Sequence, residues 1–387
     1  MGKSKIMKQY VIISGLNLND NNRGTAALSY GAISFLFQKG LLNKQQKILN
    51  YRFVKKFWKH EYKKDTIQVV NIDGISWEIV HKNIFILEKI SLLRFGLLLP
   101  FTSFGKSLRC VERIAAINGG DGFSDIYGTK TFLDRLTDIY IGLKMNIPII
   151  QLPQTLGPFI NKDNLNIAKR ILINSEKIFI RDNKFVSELN SFGVKYELSR
   201  DLSFYMKPQV WNISVPKDAI GINVSGLAYS NKFRTLSGQF DYYPELINQI
   251  VNFFQSKSHT IFLIPHSYNY QNPEKNNDDI IACRNVYNKL RNKSNIIIID
   301  KDLTSPQIKY VISKMKFFIG TRMHANFAAI YTGIPLFGLA YSYKFEGAFN
   351  ANGLDGKQQT AFINNITKED IPLIIKKIDS VYLKFCK

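Results

Sequence analysis

Arg322 and His324 stand one residue apart in the stretch Gly320-Thr321-Arg322-Met323-His324-Ala325. An apolar run, Phe317-Phe318-Ile319, precedes them and reads as a buried strand. Residues 325–331 read as a helix with small residues on its packing side, stopped by Gly333 and kept stopped by Pro335. Thr321 is placed to cap that helix, and 336–339 is a second apolar strand. The spacing therefore predicts Arg322 and His324 in the first turn of a helix that follows a strand. A helix N-terminus presents unpaired N–H groups and partial positive charge, which suits a phosphate or carboxylate. Arginine adds a two-pronged fork for the same anions, and histidine exchanges a proton near neutral pH. The chemistry is an anion site beside a proton donor. The plainer alternative is a surface arginine and a capping histidine.

Other polar clusters also follow short apolar runs. Asn118-Gly119-Gly120-Asp121 follows 114–117, with Asp125 just beyond it. Paired glycines there allow a ligand to approach the backbone, and Asp121 or Asp125 can orient hydroxyls or act as a base. Gln154-Thr155-Leu156-Gly157-Pro158 follows 148–152, and Arg181-Asp182 follows 177–180. Asn22 and Arg23 sit in a polar loop between 10–14 and a small-residue helix over 25–37, where they can bind an acceptor. His266 follows 260–264 and can line a donor pocket. For each, a turn, cap or structural role is the competing reading. His60, His81 and His259 have no context that lifts them above surface or core residues.

The elements needed to position these groups follow a strand–loop–helix rhythm with the polar loops after the strands. That is the pattern of doubly wound parallel sheets. It predicts an α/β chain of two doubly wound Rossmann-like domains facing a cleft: a first domain over 1–206, a linker over 207–217 carrying Pro208 and Pro216, and a second over 218–387. The final helix, with Ile371, Ile374, Ile375, Ile378, Tyr382 and Phe385 on one face, has the option of packing back on the first domain. No G-x-G-x-x-G motif occurs, so the dinucleotide fingerprint is excluded.

Composition narrows the class. With 387 residues the chain is long enough for two domains, and 45% apolar content is ordinary for a globular protein. A net charge of +22 points to an acidic partner: nucleic acid, an anionic membrane surface or a phosphorylated substrate. Nucleic acid is the weakest of these, because no zinc-finger spacing, RNA-binding aromatic motif or basic tail is present. Three widely spaced cysteines lack metal-ligand spacing, so no metal is expected and a reduced cytoplasmic protein fits. The apolar run at 10–14 is too short for a signal peptide. Residues 84–104 are the most apolar long segment. Glu88, Lys89 and Arg94 argue against a membrane-spanning helix there. Two readings stay open: a core helix with its connecting loop, or a basic amphipathic segment that touches a membrane or closes over a site.

Taken together, Asn22-Arg23-Gly24, the Asn118-Gly119-Gly120-Asp121 loop, Gln154 to Pro158 with Arg181-Asp182, and Gly320 to Ala325 through Gly333-Ile334-Pro335 and on to Tyr341-Ser342-Tyr343-Lys344 resemble the polysaccharide pyruvyl transferase family. The likeness runs from about residue 10 to about residue 350. Asn118 departs from it, standing where the family usually has the first glycine of a triplet. The resemblance implies a GT-B-like fold and transfer of a pyruvyl group from phosphoenolpyruvate to a sugar, usually as a cyclic ketal. The sugar would belong to a cell-surface polysaccharide or its lipid-linked precursor. No cofactor is implied; phosphoenolpyruvate is the donor substrate. His324 would protonate its methylene carbon, with Arg322 and Asp121 completing the catalytic set. Arg181, Arg23, Asn22, Gly119, Gly120, Gln154, His266 and Thr321 would bind substrate. The implied location is cytoplasmic, with peripheral contact at the inner face of the plasma membrane. Two other functions remain: a glycosyltransferase of the same architecture using a nucleotide sugar, and a non-catalytic glycan-binding protein.

Overall fold

The computed structural model describes residues 8–54, 64–342 and 344–386. His60 and Tyr343 lie outside the described residues. The chain divides into two compact units: Met1–Asn17 with Leu28–Tyr205, and Leu18–Ala27 with Met206–Lys387.

The first unit holds an eight-stranded sheet. Its strands are β1 (Tyr10–Ser14), β2 (Lys47–Val54), β3 (Thr66–Ile72), β4 (Ile75–Phe85), β5 (Val111–Ala116), β6 (Ile149–Gln154), β7 (Lys177–Ile180) and β8 (Glu197–Leu198). The order is β3-β4-β2-β1-β5-β6-β7-β8, and β3 pairs antiparallel to β4 while the other pairs are parallel. The sequence reading had not anticipated β2 and β4. Between β5 and β6 the chain forms two short helices, Thr129–Arg135 and Thr137–Met145, broken at Leu136. Phe123, Phe132, Leu136, Ile171 and Ile178 form a core on one part of the sheet, and Ile12, Leu49, Phe104, Ile114 and Ile141 form another.

The second unit holds a six-stranded parallel sheet of β9 (Ile220–Asn223), β10 (Ile261–Leu263), β11 (Ile296–Ile298), β12 (Phe317–Gly320), β13 (Leu336–Ala340) and β14 (Thr360–Phe362), in the order β11-β10-β9-β12-β13-β14. β9, β10, β12 and β13 are buried along their whole length. β10, β12 and β13 are accordingly runs without polar residues rather than alternating ones, and so is β9 up to its terminal Asn223, as a sheet covered on both faces requires. Strand order reverses direction around β9, and the loops after β9, β10 and β12 carry the polar residues of interest. Such a switch point is where an open α/β sheet leaves a ligand crevice. The final helix, Asp370–Phe385, packs on this unit's core through Ile371, Ile374, Ile378 and Tyr382.

Among the described residues no helix is long and apolar enough to cross a membrane. No cluster of three or more His, Cys, Asp or Glu side chains among them could hold a metal ion.

One buried acid strains the first unit. Asp138, at the start of Thr137–Met145, has its pKa pushed up to about 6 by burial, against the lowering effect of a hydrogen bond with Ser14. Its Oδ1 has no hydrogen-bond partner among the described residues. A carboxyl whose folded pKa exceeds its unfolded one costs stability above both values, and that cost disappears once both states are protonated. Replacing Asp138 with Asn is therefore predicted to stabilise the protein at pH 8, by an amount bounded at about 3 kcal/mol by the shift. The gain should fade toward pH 3–4. Urea unfolding at several pH values measures both limits.

Candidate functional site

Asp279 organises the loops at the carboxyl end of the second sheet. It opens the helix Asp279–Lys289, one residue after Asp278, whose carboxylate caps that helix through the N–H groups of Ile280 and Ile281. Asp279 has no solvent exposure. Its oxygens accept from the backbone N–H of Gly226 at 2.8 Å, His266 at 3.0 Å and Ser267 at 2.9 Å. Arg322 completes the set, donating from Nη2 at 2.7 Å and from Nε at 3.2 Å. Nη2 also donates to the side chain and carbonyl of Asn277. Nη1 makes no hydrogen bond among the described residues, so it is the edge of the guanidinium left for a ligand. Burial alone would lower the Arg322 pKa; Asp279 outweighs it and the arginine stays charged.

The helix Met323–Thr332 begins here. Arg322 is its N-cap residue and gives its backbone N–H to Asn223 Oδ1 at 2.8 Å. Asn223 ends β9 and also donates to Ile264 after β10, so one side chain ties three strand ends together. Thr321 does not cap the helix, as the sequence reading had it. It is buried, and its hydroxyl pairs with Tyr243 Oη at 2.8 Å. His324 is the second residue of the helix, half-buried, with its ring edge-on to Phe327 at 5.6 Å.

Gly24 makes room for that imidazole. A Cβ on Gly24 would lie 2.5 Å from His324 Nδ1 and 2.7 Å from Cγ, closer than any tolerable contact. The strand-like segment Asn21 to Arg23 is fastened to the loop after β10: Asn22 bridges Ser267, Arg23 N–H donates to the His266 carbonyl, and Tyr268 N–H donates to Asn21. Asn22 Oδ1 accepts from Gly24 N–H at 3.0 Å and starts the following helix. Arg23 departs from its expected acceptor-binding role. It is buried; Nε donates to Leu303, Nη1 to Asp20 and Nη2 to Asp302, and its guanidinium lies over the Tyr268 ring. It is a staple that holds the loop against the rest of the second unit. His266 is buried beside it. Burial, reinforced by His324, Arg322 and Arg23, holds its imidazole well below the ordinary histidine range, so it is neutral at pH 7.

A second cluster occupies the carboxyl ends of β5, β6 and β7 in the first unit. Asn118, Gly119 and Gly120 all have positive φ, at 47°, 68° and 85°. Asparagine tolerates this region better than other residues with a side chain, which explains why the family's first glycine can be Asn here. The turn brings Gly120 against Arg181, whose Nη1 would lie 3.1 Å from a Cβ at that position. Arg181 donates to Asp201 Oδ2 at 2.5 Å and to Thr155 Oγ1 at 3.0 Å. Burial alone would lower its pKa; Asp201, with Asp121 and Asp182, raises it. Asp121 accepts from Tyr127 Oη at 3.0 Å. Gln154 lacks the exposure a substrate-binding side chain needs. It is fully buried, donating to Ala116 and Gln151 and accepting from Asn118 Nδ2, and so holds the loop. Asp125 is also structural, accepting from Ile160, Asn161 and Asn164.

The family model described as polysaccharide pyruvyl transferase matches residues 22–343, which takes in both clusters and the Asn22-Arg23-Gly24 block. The chain belongs to the polysaccharide pyruvyl transferase family. No curated protein matches this member in sequence. Among solved structures it is similar to a putative UDP-N-acetylglucosamine 2-epimerase from Listeria monocytogenes, with TM-score 0.55, 10% identity and coverage of 98% of this chain and 91% of that one. It is also similar to the UDP-GlcNAc 2-epimerase of Methanocaldococcus jannaschii, with TM-score 0.52, 10% identity and coverage of 98% and 93%. At such identities the likeness concerns the fold alone, which is of the GT-B type.

The pyruvyl transferase family member thus gathers Arg322, His324, Thr321, His266, Asn22 and Arg23 in its second unit, and Gly119, Gly120, Asp121, Gln154 and Arg181 in its first. Sequence reasoning missed Asp279, Asn223 and Asp201. Asp279 carries one faint signal, an acid doubled with the helix cap Asp278; the other two carry none. Alanine for glycine in an open helix stabilises by up to about 1 kcal/mol. Gly24→Ala is predicted to do the reverse, destabilising by about 1–3 kcal/mol through overpacking against His324. Thermal melts of the two proteins decide the sign.

Proposed function

We propose that this family member transfers the pyruvyl group of phosphoenolpyruvate to a sugar of a cell-surface polysaccharide or of its lipid-linked precursor, and closes it as a cyclic ketal across two hydroxyls. The observation that carries the reading is His324 at the start of Met323–Thr332, one residue from a guanidinium that Asp279 holds in place, with Gly24 clearing space for the ring. Phosphoenolpyruvate carries both a phosphate and a carboxylate. The helix N-terminus and Arg322 Nη1 suit these groups. His324, protonated, delivers a proton to the methylene carbon. That leaves the adjacent carbon electron-poor, and a sugar hydroxyl forms a bond to it. Phosphate then departs with its bridging oxygen, its charge stabilised by the same cation and N–H groups. A second hydroxyl bonds to the same carbon and passes its proton to the His324 imidazole, restoring the acid and completing the ketal, while the proton of the first hydroxyl leaves with the phosphate. Neutral His266 beside His324 adds no competing positive charge.

Arg181 is the second anion-binding group of the proposal, and Asp121 the base through which the first hydroxyl's proton passes to the phosphate. Phosphoenolpyruvate is the donor substrate and no cofactor enters the steps. A cytoplasmic setting accords with three free cysteines.

Incubating the protein with phosphoenolpyruvate and a panel of lipid-linked and simple glycosides, with mass detection of the adduct, tests the reading. The wild-type protein is expected to add a pyruvyl group to at least one acceptor and to release phosphate. His324→Ala is expected to lose about 100-fold or more of that rate while folding normally. Full activity in the variant overturns the general-acid role. A melting temperature raised by a nucleotide sugar and unmoved by phosphoenolpyruvate replaces the donor assignment with glycosyl transfer.

A further inference from the structure

After β4 the chain enters the helix Ile86–Ile90 and a π-helical turn, Ser91–Phe95, which Gly96 ends at a φ of 67°. The helix Ser103–Leu108 then leads back to the sheet. The segment is apolar on two faces. Its inner face is buried: Leu92, Phe104 and Leu108 join the core with Ile84, Val111 and Ile141. Its outer face is not: Ile86, Leu87, Ile90, Phe95, Leu97 and Phe101 are between 45% and 73% exposed. Six large apolar side chains exposed within sixteen residues are a surface built to be covered, not the scattered exposure normal for a globular protein.

The charges on the segment say what covers it. Glu88 is its one acidic residue between 84 and 109, and it is turned inward with no solvent exposure, accepting from Thr102 Oγ1. Burial raises its pKa, and because its carboxyl faces the interior the segment presents no acidic side chain on its outer face. The basic residues Lys89, Arg94, Lys106 and Arg109 remain, of which Arg94, Lys106 and Arg109 are exposed and make no ion pair among the described residues. Asp65, which accepts from Ser103, is already paired with Lys82. A second copy of the chain on this face would bring like charges together in a protein of net charge +22. We propose that the segment 86–101 is a membrane-docking element whose Leu and Phe side chains enter the interface of an anionic bilayer while Arg94, Lys106 and Arg109 meet its headgroups. The assignment stands independently of the donor substrate.

The test is co-sedimentation of the full chain with vesicles of phosphatidylcholine alone or with one third phosphatidylglycerol. Binding is expected to the anionic vesicles only, and to weaken as salt is raised. Leu87→Ser, Phe95→Ser and Phe101→Ser together should reduce binding at least tenfold without lowering the melting temperature, because all three side chains are already in solvent. Arg94→Glu with Lys106→Glu should reduce it comparably. Equal binding to both vesicle types, no binding to either, or unchanged binding by the triple variant overturns the proposal. So does a dimer in light scattering that the triple variant abolishes, since the face would then be covered by a second copy.

Discussion

A carboxylate with no solvent exposure, Asp279, accepts three backbone N–H groups and the Arg322 guanidinium together. Removing one partner of such a buried pair typically costs about 3–5 kcal/mol, because the other charge is left uncompensated. The donors come from three loops: Gly226 follows β9, His266 and Ser267 follow β10, and Arg322 follows β12. The contact therefore fixes three loops in one arrangement. What it fixes is the direction of the helix Met323–Thr332 and hence the position of His324. The arginine that reads in sequence as a substrate clamp is, on two of its nitrogens, first a structural group, and only Nη1 is left for an anion.

His324 is positioned from its other side by a segment 300 residues away in sequence (324 − 24), since Gly24 faces His324. Arg23 locks that segment down through Leu303, Asp20 and Asp302. The Asn22-Arg23-Gly24 and Arg322-Met323-His324 blocks are thus two halves of one packing arrangement. Arginine supplies the staple, glycine the clearance and histidine the ring.

Much of the parallel-sheet architecture was legible because its strands are short apolar runs that end in polar loops. β4 was not, because Ile75–Phe85 continues without a break into the helix Ile86–Ile90, so an apolar run spans the boundary. A signal was available: Asp73 and Gly74 both have positive φ, the two-residue turn that Asp-Gly favours, and Ile72 pairs with Ile75 across it. The roles of Arg23 and Gln154 were misread for a different reason. A polar residue after a strand looks the same in sequence whether it faces a ligand or a carbonyl elsewhere in the chain. Leu303, which accepts from Arg23, leaves no local trace. Asp279 was hidden beside Asp278, which performs the capping that either residue could have performed.

The most direct measurement of the central claim is to run the reaction in heavy water with phosphoenolpyruvate and an acceptor that is turned over, and to read the product by mass and proton spectra. Protonation of the methylene carbon predicts a pyruvyl ketal whose methyl group carries one deuteron, with unlabelled methylene hydrogens retained and phosphate released in equal amount. A product with a glycosyl group added and no pyruvyl carbons, or a pyruvyl product without deuterium in its methyl group, contradicts the account.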